Sequence, residues 1–135
     1  MAIQGAIPLG QGLVFPHGAF VVGEVEKVED FDRRQAGEVD SQSRDKVTGV
    51  RLWAVRVLDA DPETRRGQAE VVVKIAAEVQ PVPPELVPGL PFRPVEFEGL
   101  TATPYVDTQR TRPRLAWSLR ASGMRAPGRS TAKAA

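Results

Sequence analysis

The sequence predicts an all-β domain. Five short segments rich in Val, Ile, Leu, Phe and Trp alternate at a period of two, and the stretches between them are punctuated by 12 glycines and 12 prolines in 135 residues. No segment sustains the three-to-four-residue apolar spacing of an amphipathic helix. Phe20–Val28 is β-branched, with Gly23 where a strand must bend sharply. Val50–Leu58 puts Trp53, Val55 and Val57 on one face, and Glu70–Ile75 does the same with Val71, Val73 and Ile75. Val95–Leu100 alternates and runs on through Thr101–Thr103 to Pro104; Leu115–Arg120 alternates again, bringing Leu115, Trp117 and Leu119 together. The two tryptophans are large enough to be expected in the core.

The connections carry turn chemistry. Asp30–Gly37 and Asp45–Gly49 bracket a long polar loop, and Asp59–Gly67 can start a helical turn at Pro62 that Gly67 soon ends. Gln80–Pro88 has prolines too dense for a helix and is expected to be extended. Residues 1–18, glycine-rich with scattered apolar residues, are expected to be a flexible arm, and 125–135 a disordered basic tail. The domain between them, 19–124, is long enough for one modest core. Five short strands with a bulged first strand fit a small five-stranded OB-like barrel, its usual helix replaced by the proline-rich segment.

Composition excludes several chemistries. There is no cysteine and a single histidine, His17, so disulfides, thiol catalysis and Cys- or His-rich metal sites are ruled out. No apolar run reaches the roughly 18 residues of a membrane span, and the N-terminal segment lacks a basic region and a small-residue cleavage site. A cytoplasmic protein with no membrane partner and no cofactor is the expectation. Glu96 and Glu98 share a strand face, as solvated polar residues commonly do, and Asp59, Asp61 and Glu63 lack calcium-loop spacing. The glycines form no phosphate-cradling motif. No set of residues supports an enzyme.

Charge is informative by position. Residues 1–100 hold 11 basic and 16 acidic side chains, whereas 101–135 hold 7 basic and one acidic, so a net charge of +1 hides a basic end. The 14 Arg against 4 Lys are also what the codons of a GC-rich genome produce. Arg110, Arg112 and Arg114 alternate before the last strand, which carries Arg120. In an OB-like barrel they fall in or beside the loop between strands four and five; Arg33, Arg34, Arg44 and Lys46 fall in the first loop, and Arg51 and Arg56 on the second strand. That distribution suits single-stranded nucleic acid, with Tyr105 as the base-stacking candidate. The same arginines are equally those of an ordinary charged loop that keeps a strand edge soluble, and Glu38, Asp40 and Asp45 offset part of the first loop.

The blocks Leu52–Asp61, Val73–Ala77, Pro94–Val106 and Arg112–Met124 resemble an actinobacterial family that accompanies integrative and conjugative elements, the plasmid replication, integration and excision activators. The resemblance spans about residues 19–124 and is most specific in the last two blocks. More distantly, strand order and the closing Trp117 strand are similar to OB-fold helicase processivity factors of other conjugative elements. The resemblance implies an accessory role in replication or excision of such an element. It carries no catalytic motif. It leaves three mechanisms open: holding single-stranded DNA or assisting a helicase or replication initiator, activating transcription, or acting as a protein–protein adaptor. The absence of a helix-turn-helix pattern ranks single-strand binding first.

Overall fold

The computed structural model describes residues 5–46, 48–63, 69–86, 88–89, 92–109 and 111–127. Its elements in chain order are β1 (Ile7–Pro8), α1 (Gln11–Val14), β2 (Ala19–Val21), β3 (Glu26–Lys27), α2 (Phe31–Gln35), β4 (Leu52–Asp59), β5 (Glu70–Ala76), β6 (Arg93–Glu98), β7 (Thr101–Asp107), β8 (Arg114–Ala121) and β9 (Gly123–Arg125). The chain is mostly β, as expected. The strands form one curled sheet in the order β1-β7-β8-β5-β4-β2-β6-β9, with β3 added to β4. Every pairing is antiparallel except β5 with β8, which run parallel through Val73↔Leu119 and Ile75↔Ala121.

Nine strand segments stand where five strands were expected. Two of the expected strands are each broken once, and β1, in the expected arm, and β9, after the expected fifth strand, are additional. The first breaks at Gly23, whose φ of +77° favours glycine and whose Cβ, if present, would lie 2.6 Å from Arg56 Nη2. The fourth breaks at Gly99; the fifth runs unbroken as β8, and Ser122 separates it from β9, so that Gly99 and Ser122 form one corner. The Ser122 amide donates to the Glu98 carbonyl at 2.8 Å. A Cβ on Gly99 would sit 2.7 Å from Ser122 Oγ. Bending both strands at the same level lets β6 and β9 turn toward β2 while β7 and β8 continue past β5.

The core lies on the concave side of this sheet. Val55, Val57, Val73 and Ile75 are fully buried, with Val21 and Val95 almost so. β-branched side chains suit this pleated, half-enclosed surface. Trp53 is buried as expected and donates its indole N–H to the Ala77 carbonyl at 2.7 Å.

Two expected boundaries are corrected. Residues 5–18 are not a loose arm. β1 pairs with the start of β7, and the Leu9 amide donates to Leu100 O at 2.9 Å. The Gln11 side chain bridges β6, donating to Val95 O and accepting from the Phe97 amide. Phe15, 3% exposed, packs 6.3 Å centroid to centroid from Phe97. One buried aromatic and one amide clasp outweigh the glycines. At the other end, Arg125 belongs to β9, opposite Glu96, and is not part of a tail; residues 128–135 lie outside the described residues, as do 1–4.

The long polar loop contains a short helix that sequence reasoning missed. Asp30 caps α2 by accepting from the amides of Asp32 and Arg33. Its apolar residue Phe31 points to solvent, so no periodicity marks it. The proline-rich stretch 80–86 has no regular structure, and Arg93 holds it by donating to Pro84 O at 2.8 Å. The turn expected after Pro62 runs into residues 64–68, outside the described residues.

Candidate nucleic-acid interface

Alternation fixes what the convex face of the sheet presents. With Val55, Val57, Val73 and Ile75 pointing inward, Arg56 of β4 and Val72 and Lys74 of β5 point outward. Lys74 stands beside Arg120 of β8, and Arg120 is opposite Thr101 of β7. Along the β7–β8 hairpin the outward row continues through Thr103↔Ser118, Tyr105↔Ala116 and Asp107↔Arg114. Arg56, Arg120, Arg114 and Tyr105, which the sequence nominated, thus share one face with Lys74, which it did not. Tyr105 is 49% exposed, free to offer a ring face.

The charges on this face are not all equally available. Arg120 donates to Asp45 at 2.7 Å, so the 45–50 turn already supplies it with a carboxylate. Arg56 lies 3.5 Å from Glu70 in a half-exposed pair, a geometry of small energetic weight. Lys74 and Arg114 make no ion pair among the described residues. Arg112 is exposed in the hairpin turn, and Arg110 lies outside the described residues.

Arg51 does not join this group. It sits on the other side of the sheet, where it donates to Asp40 Oδ2 at 2.7 Å and to Gln42 Oε1 at 3.1 Å. Gln42 is buried and donates in turn to Leu52 O at 2.8 Å. The Arg51 hydrogen bond, helped by the Gln42 amide, lowers the Asp40 carboxyl from its ordinary 3.8 to about 2, and Asp40 raises Arg51 in return. Arg51 anchors its loop, apart from the hairpin face. Arg44 likewise turns to Asp40 and the Gly49 carbonyl, and Arg33 to Asp30 and Glu38.

Trp117 corrects the largest expectation about side chains. Core packing was expected, yet it is 50% exposed. Its parity is inward, with Leu119 and Ala121, but it precedes the stretch of β8 that pairs with β5 over the core.

The remaining chemical candidates have structural duties. Glu96 and Glu98 both receive Arg125. Asp59 and Asp61 accept successive backbone amides of the turn, from Asp61 and Glu63. His17, given no partner by the sequence, lies 3.8 Å from Asp61. Among the described residues no group of three metal-ligating side chains is found, and no helix is long and apolar enough to cross a membrane.

No family model, curated protein or solved structure matches this chain. The site is therefore read from its own geometry.

Proposed function

We propose that this protein is a non-enzymatic accessory factor for replication or excision of an integrative and conjugative element, and that it binds single-stranded DNA across the convex face of β4, β5, β8 and β7. The observation that carries the binding reading is the single outward row of Lys74, Arg120, Tyr105 and Arg114, fixed by strand register. Lys74, Arg114 and Arg112 contact phosphates, Tyr105 stacks on a base, and Arg120 exchanges Asp45 for a phosphate as the strand arrives. The link to a mobile element rests on the resemblance of the strand blocks to the activator family. Holding unwound strands in this way assists a helicase or replication initiator, and the role implies a cytoplasmic location.

An OB-type barrel is the finer fold reading we propose. It is supported by treating β2–β3, β4, β5, β6–β7 and β8–β9 as five bent strands. The first then pairs with the second and fourth, the third runs parallel to the fifth, and the fourth pairs with the fifth. In that frame the Tyr105–Arg114 hairpin is the loop between strands four and five, a usual ligand position.

Fluorescence anisotropy with labelled single-stranded and double-stranded oligonucleotides, over a salt series, tests the reading. The expected result is preference for single strands with affinity falling steeply as salt rises. Equal or tighter duplex binding favours transcriptional activation instead, and absence of binding by folded protein favours an adaptor.

A further inference from the structure

The turn that precedes β4 reaches the outward face of the sheet. Arg44 and Arg51 bridge as antiparallel partners, and residues 45–50 between them close on themselves. The Asp45 amide donates to Val50 O and the Gly49 amide to Asp45 O, each at 2.8 Å. The Thr48 amide donates to Asp45 Oδ1 at 3.0 Å. The other carboxylate oxygen, Oδ2, receives Arg120 at 2.7 Å. β5 stands between β4 and β8 in the sheet, so this bond ties the turn across the outward side of β5. Leu52 marks the covered end of that side. Its register opposite Ala76 directs it outward, like Arg56, yet it is 3% exposed. Its amide donates to Ser43 O, and its carbonyl accepts from the Gln42 side chain. The outward face is thus overlaid beside Arg120 and open at Tyr105.

We infer, on the basis of the nucleic-acid reading of this face, that Asp45 is a built-in stand-in for a phosphate and that residues 45–50 form an autoinhibitory latch, which holds Arg120 until a single strand displaces it. A carboxylate and a phosphate offer a guanidinium the same kind of anionic oxygen, and 2.7 Å is the length of a charge-assisted bond to either. The two partners are unequally accessible: the Asp45 side chain is 18% exposed and that of Arg120 41%. The carboxylate is the fixed member, and the cation is the one an arriving strand can reach. An ion pair with one partner this exposed is weak enough to exchange.

The latch favours a strand over a single anion. Lys74 is the register neighbour of Arg120, so a chain of phosphates held at Lys74 presents its next phosphate to Arg120 at high effective concentration. A lone anion has no such tether and must compete with Asp45 directly. The same bond recurs off this face, where Asp40 receives Arg51 at 2.7 Å on the other side of the sheet. That pair matches the latch in charge and length and differs in position, which makes it the natural control.

Anisotropy of a labelled single-stranded oligonucleotide with the full chain, Asp45→Asn and Asp40→Asn tests the inference. Asparagine keeps an oxygen for the Thr48 amide and removes the charge, so the turn stands while the latch opens. Asp45→Asn should bind about fivefold more tightly than the wild type, with a salt slope steeper by about one unit, and Asp40→Asn should match the wild type. No gain in Asp45→Asn, or an equal gain in both variants, overturns the latch while wild-type binding keeps the nucleic-acid reading. Failure of all three folded proteins to bind overturns that reading and the latch with it. If Asp45→Asn does not fold, the wild type decides. The heteronuclear NOE of the Lys46, Thr48 and Gly49 amides should fall at saturating oligonucleotide as the turn is released, and values unchanged by binding overturn the latch.

Discussion

The two ends of β8 carry the same alternating pattern and have opposite fates. At one end Ala121 and Leu119 face inward and meet Ile75 and Val73 across the parallel pairing with β5. At the other, Trp117 and Leu115 face the same way and meet solvent. The difference is coverage. β5 and β8 are paired only through three residue pairs, and beyond them the hairpin continues without a layer beneath it. A period of two tells which side a residue faces; whether that side is buried depends on what other segments lie over it.

This contrast can be broken most strongly at the covered end. Ile75→Ala removes a fully buried side chain and should lower stability by about 2–5 kcal/mol in urea unfolding. Leu115→Ala, at an exposed position, should stay within about 0.5 kcal/mol. Equal losses at the two sites would mean that the hairpin is packed in solution by its own chain. The corner that separates the two ends is tested next. Gly99→Ala forces a side chain at φ +61° against Ser122 and should cost about 1–2 kcal/mol, detected as a lower thermal midpoint.

The outer face should respond in the opposite sense: binding changes while stability does not. Lys74→Ala with Arg114→Ala should reduce the salt dependence of oligonucleotide affinity by about two units of slope, with unchanged unfolding. Arg51→Ala should leave that slope alone and loosen its loop. The smallest effect is at acid pH. Because Asp40 is held below its ordinary value, its clamp on Arg51 is present above pH 3.8 and is lost as pH falls through about 2. Amide exchange of residues 41–45, corrected for its intrinsic pH dependence, should therefore rise only in that window.

Much of the sheet was legible because β-branched alternation between glycines and prolines is a local signal; Val55, Val73 and Phe97 fall on the inner side as their pattern requires. Four of the nominated nucleic-acid residues share a face for the same reason. What local pattern does not carry is long-range coverage. The Gly99–Ser122 corner needs two segments 23 positions apart to bend together. The docking of Phe15 needs β6 to be in place beneath it, and the exposure of Trp117 follows from β8 pairing with β5 only from Leu119 onward. That Arg51 lies apart from the other nominated residues was not legible, because its partner Asp40 is brought to it by the fold of the loop. Lys74 had a readable signal, its position between Val73 and Ile75, but its place beside Arg120 depends on a parallel pairing between distant strands.

The central claim is that single-stranded DNA lies across the convex face of β5, β8 and β7, and amide chemical-shift mapping with an unstructured oligonucleotide tests it most directly. The account predicts the largest shifts at Lys74, Thr103, Tyr105, Ser118 and Arg120, with little change at Asp40, Gln42 and Gln80. Shifts concentrated around Arg51 and Gln80, or none at Tyr105 and Lys74 under saturating oligonucleotide, would contradict it.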